Sequence, residues 1–281
     1  MAKQKKLRVL ILTHFYPPEM GAAASRLHGL ARWLAKWGHD VTTLTGFPNY
    51  PSGTVPKEYC CKFQTCEEKD GVKVIRTWVF ATSHRSSVRR LLNYLSFVVS
   101  SIITGITLRR SFDVVLISSP PLFIGVAGSI LSTVFRVPFV LDLRDLWPDV
   151  AIQAGVFTEN SFPVKWSRFL ANFIYRRAAH LTPVTESKLE RLKAIGVEKA
   201  KLTVVTNGVD FDRLDLSKYH DWREELDISA KFVIMYTGLI GVAQGIGIAV
   251  EAAELLKHNS DIHFVIVGEG VERDDLIERV K

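Results

Sequence analysis

Seven short runs rich in valine, isoleucine and leucine punctuate the first three-quarters of the chain: LRVLIL, DVTTLT, VKVIRTWVF, DVVLIS, PFVLDL, HLTPVT and LTVVT. Several are near-continuously apolar rather than alternating, and a strand can be so only when both of its faces are covered. Helical patterns lie between several of them. Leu27, Leu30, Ala31 and Leu34 recur at the helical period, and Gly38 closes that segment just before HDVTTLT. Buried strands separated by helices predict an α/β fold built on a doubly wound parallel sheet. Composition adds little to this: 281 residues, 47% hydrophobic and 23% charged, describe a chain able to bury a large core and long enough for two domains.

Residues 1–215 read as one such doubly wound domain. Around DLSKYHDWREELDIS the composition turns polar and charged, which suits a linker with a short helix over 216–231. The alternation then restarts in 232–281, with FVIMYTG as a strand, IGIAVEAAELLKH as a helix, IHFVIVG as a strand and VERDDLIERV as the start of another helix. Two parallel strands offer few faces to bury and leave both edges open. The second domain is therefore expected to be incomplete as given, or to lean on the first domain or another chain.

The formal charge of +7 makes an anionic partner plausible: phosphate, membrane surface or nucleic acid. Nucleic acid lacks a basic reading helix, finger spacing or aromatic RNA-binding strand to support it. Cys60, Cys61 and Cys66 cluster in KEYCCKFQTCEEKDG, a loop-like stretch without a nearby histidine, and the odd count argues against a disulfide framework. They read as reduced thiols of a cytoplasmic protein. LRVLIL is too short for a signal-peptide core and ends at a histidine. His28, His39 and His180 show no ligand spacing, so no metal is expected.

Between Arg90 and Arg109 runs LLNYLSFVVSSIITGITL, free of charge and long enough to cross a membrane. Asn93, Ser96, Ser100, Thr104 and Thr107 nevertheless draw a polar stripe, opposite Leu92, Leu95, Val99, Ile102, Ile103 and Ile106. That pattern predicts an amphipathic helix packed on a sheet. Arg85, Arg89, Arg90, Arg109 and Arg110 bracket it, so an anionic membrane surface is a second candidate partner, and a solvated basic edge is the alternative.

Three stretches carry the candidate chemistry. In HFYPPEMGAAASR the first strand stops at His14, and small residues from Gly21 and Ala22 lead into a helix. The first amides of a helix have no internal partner, so an anion could approach closely there, with Arg26 and His14 as further donors. Tight packing of helix on sheet would also account for the small residues. No G-x-G-x-x-G follows the first strand and no P-loop lysine pattern occurs, which disfavours a dinucleotide enzyme or a triphosphatase. In PFVLDLRDLWPD, Asp142 and Arg144 lie two apart at a strand end, with Asp145, Trp147 and Asp149 following, where open α/β sheets place ligands. An Asp–Arg pair that only fixes the loop is the competing reading. VVTNGVD places Asn207 and Gly208 in a turn after the last strand of the domain.

PPEMGAAASR, GHDVTTLTGFPNYPSG, DLRDLWPD, TNGVD, YTGLIGVAQGI and VIVGEG occur in that order, and this series resembles the retaining glycosyltransferases of family 4, in the branch that builds bacterial surface polysaccharides. The resemblance implies a GT-B fold of two Rossmann-like domains and transfer of a sugar, with retention, from a UDP- or GDP-linked donor to a lipid-linked or glycan acceptor. It implies no cofactor and no metal, and a cytoplasmic protein, peripheral at the inner face of the membrane if the basic bracket acts. By the same resemblance Gly21, Ala22, Arg26, Asn207, Gly238, Gly241 and Gln244 hold the donor and its phosphates. Asp142, Arg144 and Asp145 take the catalytic positions, and His14, Glu19 and Trp147 lie on the acceptor side. Arg144 stands where many relatives carry histidine, so its implied role is charge stabilisation of the leaving phosphate rather than general base. No cation occurs between Lys231 and Lys257, where many members place an Arg and a Lys. The pair of glutamates that members use for ribose and sugar lies beyond the last residue, so half of the donor pocket is expected to be missing. A non-catalytic acceptor-binding or membrane-docking fragment is the alternative, and a phosphorylase or epimerase of the same fold a third.

Overall fold

The structure, a computed structural model, describes residues 5–19, 21–50, 52–82, 86–108, 111–153, 155, 157–208, 210–211, 221–241 and 244–280. The chain divides into two compact units, Met1–Asp210 and Phe211–Lys281. Residues 216–220 of the expected 216–231 linker lie outside the described residues, and Trp222–Glu225 within it is a short helix.

The first unit is built on a seven-stranded sheet in the order β3-β4-β2-β1-β5-β6-β7. Its strands are β1 (Arg8–Leu12), β2 (Asp40–Gly46), β3 (Gln64–Lys69), β4 (Val72–Thr77), β5 (Val114–Ser119), β6 (Phe139–Leu143) and β7 (His180–Pro183). All neighbours pair in parallel except β3 and β4. Successive side chains of a strand point to opposite faces, and β1 divides accordingly. Val9 and Ile11 join Leu27 and Ala31 of helix α1 (Ala22–Lys36) on one face. Leu10 and Leu12 join the core on the other, beneath α2 (Ser87–Thr107), α3 (Ile124–Phe135) and α5 (Phe162–Arg177). Two shorter helices, α4 (Asp149–Gln153) and α6 (Glu186–Ala194), follow β6 and β7. The chain leaves β1 toward β2 and returns on its other side as β5, so the strand order reverses between β1 and β5. In open parallel sheets that reversal opens a crevice at the carboxyl ends of the strands.

Three expectations need correction. QTCEEK is an edge strand, paired antiparallel with β4 through a tight turn at Asp70 and Gly71, whose φ values are 54° and 74°. It lacks an apolar side because its side chains are largely exposed, as suits a protected sheet edge. LTVVT forms no strand; Leu202 makes an isolated bridge to Leu181, and Thr203 and Val205 donate single hydrogen bonds back to β7. The third concerns α2, which packs on the sheet with its polar stripe inward. Asn93, Ser100, Ser101 and Thr104 are buried, whereas Leu92, Leu95, Val99, Ile103 and Ile106 are exposed. The inward groups are satisfied: Thr104 shares a 2.8 Å hydrogen bond with Thr77 of β4, and Asn93 donates to the Phe80 carbonyl at 2.8 Å. Arg85, Arg109 and Arg110 lie outside the described residues.

In the second unit, β8 (Phe232–Leu239) and β9 (Ile262–Glu269) pair in parallel, preceded by α7 (Trp222–Glu225). Helices α8 (Gly247–Leu255) and α9 (Arg273–Val280) close a small core of Ile240, Ile246, Val250 and Leu276. Phe232, Met235, Leu239 and Val267 on its strands stay exposed.

The α3–sheet contact leaves no room at Gly128, where an added Cβ would lie 2.0 Å from Ile117 Cδ1. Ile117 is fully buried and has nowhere to move. Gly128→Val should therefore lower stability by about 1–3 kcal/mol through overpacking, read as a lower urea midpoint; an unchanged midpoint would show that the layer yields.

Candidate functional site at the carboxyl edge of the sheet

Helix α1 begins at Gly21, an N-cap with φ 146° and no side-chain cap, and its first turn holds no acidic residue. Gly21 and Ala22 are exposed, and a Cβ at Gly21 would meet nothing within 4 Å. The unpaired amides of this turn thus open at the carboxyl end of β1, the side of the sheet where the strand order reverses.

Buried polar groups hold the preceding loop in place. The Glu19 carboxylate accepts from the backbone amides of Asn49 at 2.9 Å, Tyr50 at 3.0 Å and Tyr16 at 3.3 Å. Burial raises its pKa against the pull of those amides. Arg76 of β4, itself buried, donates to the Pro17 carbonyl and to Glu67. His14 is only 1% exposed, with Nε2 3.0 Å from Asn93 Oδ1 and its ring edge-on to Phe15, Tyr94 and Phe97. The expectation of an accessible donor at His14 is corrected accordingly: aromatic rings enclose it, and Glu19 is likewise spent on the loop.

The charged cluster lies at the ends of β5, β6 and β7. Asp142, buried on β6, accepts from Arg26 of α1 and from Ser118 of β5 at 3.1 Å. The Asp142–Arg144 pair that the two-residue spacing suggested is therefore replaced by a pair between Asp142 and the helix. The strand ends at Leu143, and the Arg144 amide turns to the Ser119 carbonyl at 3.0 Å. Arg144 is half-buried, and burial together with repulsion from Arg26 lowers its pKa, with Asp142 and Asp145 opposing. Its Nη1 is buried and has no hydrogen-bond partner among the described residues. Asp145 is 3.4 Å from Lys188 Nζ, which also donates to the Arg144 carbonyl. Trp147 packs against the core as a partly buried side chain.

Arg26, Asp142, Arg144 and Asp145 are thus brought together. Asn207 is exposed in the irregular segment after Leu202. Gly238, Gly241 and Gln244 belong to the second unit, at the end of β8 and in the turn before α8, where the Gln244 amide bonds the Gly241 carbonyl at 3.0 Å. Sequence reasoning missed Ser118, Lys188 and Asp210. Lys188 is placed by the Thr185 cap of α6, whose hydroxyl accepts from the Lys188 amide at 3.3 Å. Asp210 pairs with Arg32 of α1, so the TNGVD stretch is moored to the same helix. The capping threonine is a legible signal; the partners across the sheet are not.

His14 also gives the fold a pH dependence. Burial pushes its imidazole down to about 4 from the ordinary 6.5, against the hydrogen bond with Asn93. As pH falls, the unfolded chain takes up this proton first, which favours unfolding. Stability present above pH 6.5 is lost as pH falls from 6.5 toward 4, a loss on the order of 3 kcal/mol. Urea unfolding at stepped pH should show that slope, and His14→Phe should flatten it; an equal slope in the variant would exclude His14 as its source.

The glycosyl transferase 4-like domain family matches residues 21–208, which takes in the α1 amides, the charged cluster and Asn207. WcaI of Escherichia coli K12, named for a glycosyl transferase role in colanic acid biosynthesis, is 26% identical over 275 residues, 94% of this chain and 66% of its own length. A Campylobacter jejuni N-acetylgalactosaminyltransferase, whose name specifies a diphospho-undecaprenol acceptor, is 24% identical over 127 residues, 45% of this chain and 33% of its own. Among solved structures, Anabaena HepE in complex with UDP and glucose superposes with a TM-score of 0.62 at 18% identity, covering 98% of this chain and 66% of that one. The chain thus spans just under two thirds of the length of WcaI and of HepE. With the family match covering its whole carboxyl-edge cluster, the chain belongs to the glycosyl transferase 4-like domain family.

Proposed function

We propose that this protein takes part in sugar transfer from a nucleotide-activated donor to a lipid-linked or glycan acceptor in bacterial polysaccharide synthesis, with retention at the anomeric carbon. One observation carries the reading: Arg144 Nη1 is buried without a partner among the described residues, beside Arg26 and at the same sheet edge as the uncapped start of α1. A buried donor left unsatisfied costs more than 1 kcal/mol, and an anion would relieve it. A diphosphate suits this arrangement, with the amides of α1 on one phosphate and the Arg144 guanidinium on another.

In the transfer, the bond from the anomeric carbon to phosphate breaks and a bond to the acceptor oxygen forms. The leaving diphosphate gains negative charge, which Arg144 and the helix amides are suited to absorb. Asp142 is committed to Arg26 and Ser118, so its role is to fix the helix rather than attack the sugar. Asp145, half-exposed beside Lys188, is the carboxylate suited to take the proton that the acceptor hydroxyl loses. Within the first unit, Asn207 is assigned to the donor. HepE is described with UDP and glucose, which favours a UDP-sugar over a GDP-sugar, and the Campylobacter relative's name favours a lipid diphosphate acceptor.

Phosphorus NMR tests the diphosphate contact. UDP at millimolar concentration should broaden on addition of the protein, and Arg144→Ala should weaken that binding about tenfold or more without changing the circular dichroism. Transfer itself is read as labelled sugar passing from a nucleotide sugar into extractable lipid. Broadening that survives Arg144→Ala, or no broadening at all, would refute the phosphate assignment.

A further inference from the structure

We propose that the outer surface of the α2, α3 and α5 layer docks on an anionic phospholipid bilayer. The inference is independent of the sugar-transfer reading and starts from the inverted packing of α2. Val88–Thr107 has the length and composition of a membrane span, but its Asn93, Ser100, Ser101 and Thr104 side is locked into the fold. A helix held in this way cannot cross a bilayer; it can only lie along one. Its outward side carries Val88, Leu91, Leu95, Val99, Ile103 and Ile106, all exposed.

The surface continues over the neighbouring helices. α3 packs so closely on α2 that a Cβ at Gly105 would meet Leu131 at 2.5 Å, and α3 exposes Ile130 and Val134. α5 packs on α3 through Ile174, which fills the space at Gly125. Its outer stripe is aromatic: Phe162, Trp166, Phe169 and Phe173, the first and third 79% and 71% exposed. Side chains of this size on a monomeric surface mark an interaction site.

Charge selects the occupant. The sequences of α2, α3 and α5 contain no aspartate or glutamate, yet they carry Arg89, Arg90, Lys165, Arg168, Arg176 and Arg177. Among the described residues, Glu159 bonds Arg168 at 3.1 Å, Asp149 is 4.0 Å from the same group, and Glu198 lines a cavity with Arg176. Apolar and aromatic side chains interleaved with cations match the boundary of an anionic bilayer, where hydrocarbon lies below a layer of phosphate. A second copy of the same surface would instead set like charges against each other.

The test is sedimentation of the 281-residue chain with sucrose-loaded vesicles, either pure phosphatidylcholine or phosphatidylcholine mixed with phosphatidylglycerol. The protein should pellet with the anionic vesicles and less so at high salt. Val99→Asp/Ile103→Asp and Phe169→Ser/Phe173→Ser should each reduce partitioning about tenfold or more. Arg89→Gln/Arg90→Gln should reduce it about fivefold per arginine on anionic vesicles alone. Brominated lipid gives a second readout: quenching should be diminished in Trp166→Phe and kept in Trp37→Phe, Trp37 lying past the end of α1 on the opposite face. The proposal fails if folded wild-type protein does not pellet, if neutral vesicles bind it equally, if the variants pellet like wild type, or if Trp166→Phe leaves quenching unchanged. A dimer dissolved by Val99→Asp would assign the surface to a second copy instead.

Discussion

The ion pair between Arg26 and Asp142 holds the working edge of the first unit together. It runs from a helix on one face of the sheet to a strand two places from β1, with Ser118 of the intervening strand as a third member. Asp142 is 3% exposed at its side chain and Arg26 12%, so removing either partner would strand a buried charge at a cost of about 3–5 kcal/mol. Such a pair adds little net stability over an apolar contact, but it specifies where α1 lies relative to β6. The uncapped amides and the spare guanidinium nitrogen of Arg144 keep a fixed relation because of it. Beneath them, the loop after β1 is fastened by Glu19, Arg76 and the enclosed His14.

Most of the fold was legible because its strongest constraint is one of period. Near-continuous apolar strands require two covered faces, and β1, β2, β5 and β6 obey that rule. The failures have local causes. β3 has no buried side to declare itself, although the Asp70–Gly71 turn is a hairpin signal in its own right. LTVVT has strand composition but meets the sheet edge only at Leu202. In α2, the usual equation of polar with outward is reversed because the polar stripe is made of small residues. Ser100, Ser101, Thr104 and Gly105 let the helix approach closely, and their hydroxyls find partners in β4 and within the helix itself.

The candidate site was legible as a place more than as a set of bonds. The location of Asp142, Arg144 and Asp145 at a strand end follows from the chain pattern, and so does the bare helix start at Gly21. Which acid holds which base does not, because the Asp142 partner lies 116 residues away in sequence. Lys188 could have been suspected from the Thr185 cap, whereas Ser118 and Asp210 become visible only through strand order and the return of the chain to α1.

The mooring of Asp210 has a mechanical consequence. This residue is the last of the first unit and is gripped by Arg32. Arg32 lies six residues beyond Arg26 on one rigid helix, about 9 Å along its axis. Residue 210 and the bare amides of the first turn are therefore kept at a fixed separation by one helix.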